Sequence, residues 1–238
     1  MSIFTIKSPS VSLGNAFISL LFPNQCLVCN SGEFYSQDPI CSRCIKLLVP
    51  LNIENRVKEL TVKDHIDFAY AGWEFGDELR VAIHSLKYDE RAKIGLFLGK
   101  ELGQYLGLNL IQSLDGLIPV PLHPVKYRER GFNQAEWIAK GLGDNWNQPV
   151  WNNLIKRVKH TESQTTLNRD ERLNNMKTAF QLNKDVNGKI IGIVDDVLTT
   201  GSTISSMANV LKDGGAKQII ALTVTTPLDN NDSYPKSI

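Results

Sequence analysis

Apolar and polar positions fall in short blocks along this chain, and the sharpest boundary between blocks lies within residues 190–203. Ile190-Ile-Gly-Ile-Val194 is an unbroken apolar run, the pattern of a strand buried on both faces. It gives way to Asp195-Asp-Val-Leu-Thr-Thr-Gly-Ser-Thr203, after which Ile204, Met207, Val210 and Leu211 recur at helical spacing. The order predicted is strand, tight loop, helix. Phe68–Trp73, Leu114–Leu122 and Gln218–Thr225 read as further strands, and Gly214-Gly215 as a helix stop. Leu79, Ile83 and Leu86, then Ile94 through Tyr105, predict two helices after a turn at Gly76-Asp77. Ala179–Leu182 reads as a strand joined to Ile190–Val194 through the turn signal Asn187-Gly188. Strands alternating with helices predict an α/β doubly wound, mostly parallel sheet.

Where such a strand hands over to a helix, the first backbone N–H groups of the helix lack partners and favour an anion. Gly201 permits close approach, and Thr199, Thr200, Ser202 and Thr203 add hydroxyl donors. The absence of a Gly-Lys pair argues against a triphosphate-binding loop. Asp195 and Asp196 stand ready to accept from vicinal hydroxyls or to steady magnesium. Phosphate and diol together describe a ribose 5-phosphate; the plain alternative is a buried strand with a Thr- and Asp-rich exit.

A second strand end delivers His123 through Gly131, which reads as a loop carrying Lys126, Arg128 and Arg130 before a helix near Phe132-Asn133. Cations beside free N–H groups suit a pyrophosphate, and a solvated basic loop is the alternative. Lys87, just after a helix, is a candidate for meeting a phosphate and ranks above His84. Arg157–Asn175 is long and polar, the pattern of a binding loop or lid, with a short helix expected within Leu167–Met176.

All four cysteines lie within nineteen residues, as Cys26-Leu-Val-Cys29 and Cys41-Ser-Arg-Cys44. Two such knuckles, joined by a small hairpin, suit one tetrahedral structural zinc, with two disulfides or a redox pair as alternatives. Val11–Phe22 is too short to span a membrane and lacks the flanks of a signal peptide, so a packed amphipathic helix and a cytoplasmic protein are expected. Net charge is +1, which announces no nucleic acid globally, yet residues 121–180 carry ten Lys or Arg against six Asp or Glu. The expected division is 1–50 for helix and cysteine module, 51–65 for a connector, 66–228 for the α/β domain and 229–238 for a tail.

The apolar strand, acid pair and Thr-Thr-Gly-x-Thr loop resemble the ribose-phosphate signature of the type I phosphoribosyltransferases. That resemblance implies Asp195 and Asp196 on the ribose hydroxyls, Thr199–Thr203 on the 5-phosphate of magnesium phosphoribosyl pyrophosphate, and a mobile lid bearing Arg157, Thr161, Gln164 and Arg172. Pro121-Leu-His123 followed by Arg130-Gly-Phe-Asn-Gln134, the cysteine quartet after Leu-Phe-Pro23, and Arg172-Leu-Asn-Asn-Met-Lys-Thr-Ala-Phe180 narrow it to the ComF family of competence proteins. Membership implies an accessory role in natural transformation, with single-stranded DNA and an uptake helicase as partners. An active phosphoribosyltransferase of nucleotide salvage is the second expectation.

Overall fold

The structure, a computed structural model, describes residues 25–32, 38–88, 92–107, 114–158 and 179–227. The expected helix at 11–22, the centre of the cysteine hairpin, the helix within 167–176 and the tail lie outside them. Among the described residues, four parallel strands form the main sheet: β1 (Phe68–Glu74), β2 (Gly116–Pro119), β5 (Ile190–Val197) and β6 (Gln218–Thr226), in the order β1-β6-β5-β2. The predicted parallel, doubly wound architecture is what the chain adopts.

Alternation along the strands assigns the two faces. Ile190 and Val194 of β5, with Ile220, Leu222 and Val224 of β6, face helices α2 (Asp77–Tyr88), α3 (Ala92–Leu106) and α5 (Gln134–Trp146). Ile191, Ile193, Ile219 and Ala221 face the opposite helix, α6 (Ser202–Asp213), through Ile204, Met207, Ala208 and Leu211. Helices α3 and α5 cross closely: a Cβ on Gly99 would lie 2.1 Å from the Ile138 carbonyl oxygen, and one on Gly141 as near that of Leu96.

Several elements differ from expectation for physical reasons. The basic stretch after β2 is a helix, α4 (Pro124–Arg130), and not a loop. Pro124 is preorganised at its first turn, the Val125 N–H donates to His123 Nδ1 at 3.3 Å, and Gly131 closes it in a left-handed cap. β2 stops at Pro119 because Pro119 and Pro121 bring no N–H to the ladder. The strand around Ala179 is β4 (Phe180–Leu182), and it pairs antiparallel with β3 (Ile155–Arg157) rather than with β5, both of whose edges are taken by β2 and β6. β5 continues beyond Val194 through both aspartates.

The stretch after the cysteines is packed along its length. A one-turn helix, α1 (Ser42–Ile45), follows Cys41. Leu51 N–H then donates to the Gly72 carbonyl at 3.0 Å, Glu74 N–H to that of Val49 at 2.9 Å, and Arg56 N–H to that of Ala69 at 2.9 Å, so this segment lies along the outer edge of β1. At the other side of the sheet, Leu117 N–H donates to Pro149 and Trp151 N–H to Leu117, covering β2. Among the described residues no helix is long and apolar enough to cross a membrane.

Two aspartates pin the amino ends of the strands in the same way. Asp67 accepts from Ile219 N–H at 2.7 Å and pairs with Lys212 at 2.8 Å, while Asp115 accepts from Ile190 N–H at 2.8 Å and pairs with Lys189 at 3.0 Å. The Ile190 N–H, and then the Lys189 ammonium, hold the Asp115 carboxyl below the usual carboxylate range. A depressed folded value means the contribution is complete above the unfolded pKa of about 4 and is lost as pH falls through the folded one. The urea midpoint of wild type should therefore exceed that of Asp115→Asn by a constant margin from pH 7 to 5, and the margin should shrink below pH 4; a pH-independent margin would refute the linkage.

Candidate ribose-phosphate site and cysteine cluster

The site lies at the carboxyl end of β5, between β6 and β2, where an open α/β sheet presents its crevice. As the chain leaves β5, Leu198 N–H donates to the Thr225 carbonyl at 2.8 Å and the Thr226 hydroxyl to that of Leu198 at 2.7 Å, which fixes the start of the loop. Gly201 then adopts φ +79° as the N-cap of α6. Its backbone rests on the preceding connector: a Cβ would stand 2.4 Å from the Val62 carbonyl oxygen and 3.1 Å from Leu60, and Val62 N–H donates to the Thr200 carbonyl at 2.9 Å. Ser205 adds a hydroxyl bond to the Asp64 carbonyl at 2.9 Å. The segment expected to be a mere connector thus forms the floor of the loop.

Above that floor, Asp195, Val197, Leu198, Thr199 and Gly201–Ile204 enclose a cavity of about 100 Å³. At about 30 Å³ per water, that is room for roughly three waters or one phosphate group. The N-cap of α6, Gly201, has no side chain to cap the first turn, which leaves N–H groups there for whatever fills the cavity. Two long bonds tie the hydroxyls at its rim, from the Thr200 hydroxyl to Ser202 Oγ at 3.1 Å and from Ser202 N–H to Thr200 Oγ1 at 3.4 Å.

The two acids diverge. Asp195 is half-buried, and its Oδ1 accepts from Asp196 N–H at 2.9 Å. Burial, and then the adjacent charge of Asp196, push its carboxyl well above the ordinary range, with Lys87 pulling the other way. Asp196 is buried; its Oδ1 accepts from Val197 N–H at 2.9 Å, and its Oδ2 lies 3.0 Å from the Lys87 ammonium. Lys87, at the end of α2, therefore belongs to the site. Its signal in the sequence was only its place just after an apolar helical face.

The basic residues divide by position. Partial burial lowers the Lys126 ammonium, and the charges of Arg130, Arg157 and Lys87 lower it further, so these four cations share one field. Lys126 and Arg130 are four apart on α4 and share a face; Lys126, Tyr127 and Arg128 are exposed and Arg130 is half-buried. Arg157 ends strand β3, where its guanidinium lies 5.7 Å from the Phe180 ring centre; burial lowers its pKa and Asp195 raises it. It is held by a strand, not by a loop. Thr161, Gln164 and Arg172 lie outside the described residues.

The sulfur atoms of Cys26, Cys29, Cys41 and Cys44 all lie within 4.8 Å of one another, with Cys29 and Cys41 at 3.9 Å. Tetrahedral thiolates about 2.3 Å from zinc are about 3.8 Å apart, so the cluster fits one such ion. Burial and the neighbouring thiols push Cys44 up, while the Ser31 N–H and then Arg43, 3.8 Å away, pull exposed Cys29 down to about 6. Four crowded thiols shed their protons together only around a cation.

A family model for the phosphoribosyl transferase domain matches residues 130–237, which defines the class of the α/β unit. Over more of its length the chain is similar to the DNA utilization protein YhgH of Escherichia coli O157:H7, 31% identical across 199 residues, 82% of this chain and 80% of that one. Competence protein F of Haemophilus influenzae is 38% identical over 108 residues, 44% of this chain and 47% of its own, so the match spans about half of that relative. Competence protein ComFC of Streptococcus pneumoniae is 26% identical over 199 residues, covering 82% and 84%. The chain belongs to the ComF family of competence proteins.

Proposed function

We propose that this protein handles incoming single-stranded DNA during natural transformation, in the cytoplasm beside an uptake helicase, and binds phosphoribosyl pyrophosphate or a related ribose phosphate. The observation that carries the ligand is the phosphate-sized cavity bounded by Asp195, Thr199 and Gly201–Thr203 at the start of α6. The 5-phosphate sits on the N–H groups and hydroxyls of Thr199, Thr200, Gly201, Ser202 and Thr203, and the acid pair accepts from the ribose hydroxyls. Lys126, Arg130 and Arg157 receive the diphosphate that magnesium accompanies. The cysteine quartet holds a structural zinc, with no position left for a reacting ligand.

The relatives, a competence protein and a DNA utilization protein, support the DNA role. Exposed Tyr127 among Lys126, Arg128 and Arg130 offers a base a face to stack on beside backbone cations. Fluorescence anisotropy should find oligonucleotide affinity that falls steeply with salt, with a slope of about 0.7 per phosphate contacted. Replacing Lys126, Arg128, Arg130 and Lys156 together with alanine should weaken it by about tenfold or more and flatten that slope. Unchanged affinity in the quadruple variant would remove this surface from the proposal.

One observation favours the second reading, a working phosphoribosyltransferase: the cations converge beside the acids, where a departing pyrophosphate needs them. Pyrophosphate release from magnesium phosphoribosyl pyrophosphate, with nucleobases and an oligonucleotide as acceptors and the double variant Asp195→Ala, Asp196→Ala as control, separates the two. Release that depends on an acceptor and vanishes in the control establishes turnover; binding without release leaves the DNA-handling role alone.

A further inference from the structure

The acid pair would draw in a cation from outside, as two adjacent carboxylates do, except that one is already there. Lys87 Nζ stands 3.0 Å from Asp196 Oδ2, and the two side chains are only 18% and 9% exposed. The other oxygen of Asp196 is occupied by Val197 N–H, and Asp196 Oδ2 has no hydrogen bond among the described residues beyond this ion pair. The contact is not a chance surface meeting, because Leu79, Ala82, Ile83 and Leu86 of α2 are buried against the sheet and fix the helix from which Lys87 projects. Its field reaches both neighbours, favouring ionised Asp195 and disfavouring protonated Lys126. A hydrated divalent ion seated directly on Asp196 would have to displace an ammonium that the fold has positioned.

Building on the ribose-phosphate reading above, we propose that Lys87 is the tethered cation of the acid pair, occupying the place of a divalent metal there so that the ribose-phosphate half of a ligand binds without one. Magnesium then belongs to the diphosphate half only. The ammonium, with Val197 N–H on the other oxygen, engages both oxygens of Asp196 and leaves Asp195, backed by Arg157, as the acid facing the cavity. Lys87 is a positioning residue in this scheme: it acts through Asp196.

Calorimetry with ribose 5-phosphate, which carries no diphosphate, tests this. The wild type should bind equally well in EDTA and in magnesium. Lys87→Met should bind about tenfold or more weakly in EDTA, because the buried carboxylate is left without a counter-charge, and should recover most of that loss in excess magnesium. Lys87→Arg should behave nearly as the wild type. In an electron paramagnetic resonance titration with Mn²⁺ and no phosphate, Lys87→Met should gain a site that the wild type lacks. Should Lys87→Met not fold, the neutral pair Lys87→Met, Asp196→Asn retains the shape without a lone charge, and magnesium should leave its weak binding unchanged. A wild type that needs magnesium, or a Lys87→Met variant that binds like wild type in EDTA, overturns the role of Lys87 alone. A loss in Lys87→Met that magnesium does not relieve, shared by Lys87→Arg, marks the pair as merely structural and also overturns it. Failure of the wild type to bind ribose 5-phosphate under either condition removes the ribose-phosphate reading, and this inference with it.

Discussion

Removing the zinc proposed for the cysteine quartet should unfold far more of the chain than residues 26–44. Cys26, Ile40, Cys44 and Leu48 are buried in the same cluster as Trp73, Leu79, Ile83 and Leu98, so the module shares its core with the α/β layers. The backbone that follows it is tied to β1 through Leu51, Val49 and Arg56, and farther on to the loop between β5 and α6 through Val62. Structural zinc in isolated fingers is worth about 10–16 kcal/mol of apparent binding energy at pH 7, comparable to the whole stability of a domain. In calorimetry, chelator or Cys44→Ser should therefore lower the melting temperature of the entire chain by about 10 °C or more, in one transition. The idea is sunk if metal analysis finds no zinc in protein purified without chelator, or if verified removal leaves the main transition where it was.

The second large effect belongs to Gly201. Its φ of +79° costs a residue with a Cβ about 1–2 kcal/mol by itself. The added methyl would also meet the Val62 carbonyl oxygen at 2.4 Å, so the loop or its floor has to move. Movement of a few tenths of an ångström turns the first N–H groups of α6 away from the cavity, where each charge-assisted bond to phosphate contributes about 1.5–3 kcal/mol. Gly201→Ala should thus weaken ribose 5-phosphate binding by about a hundredfold or more while the helical circular dichroism persists. Wild-type affinity in a folded Gly201→Ala would exclude the α6 terminus as the phosphate seat.

The strand, loop and helix around Gly201 were legible in the sequence because each element has a residue type: a β-rich run to bury the strand, glycine for the left-handed cap, apolar residues at helical spacing after it. The cysteine cluster was legible for the same reason, since two knuckles specify their own geometry. α4 was harder. Lys126, Arg128 and Arg130 are both good helix formers and ordinary loop residues, and the deciding cues were the His123 cap and Pro124 at the first turn. The Asn187-Gly188 turn correctly marks a reversal, but a turn does not say which strand its flanks pair with, and β5 had no free edge. Contacts remote in sequence left no local trace at all. Val62 beneath Thr200, and Lys87 beside Asp196, join residues more than a hundred positions apart, and neither is encoded by periodicity or spacing.

The covering of β1 by Val49–Arg56 and of β2 by Pro149–Trp151 bears on how copies of this chain meet. An uncovered strand at the rim of a sheet is a template on which a second chain can grow the sheet. Among the described residues both rims of the main sheet are engaged by their own chain, which disfavours a sheet continued across two molecules. Among the described residues, self-association would then fall to helix surfaces, the β3–β4 ribbon or the cysteine module, and the crevice at the carboxyl ends of β5 and β6 stays apart from any sheet-to-sheet joint.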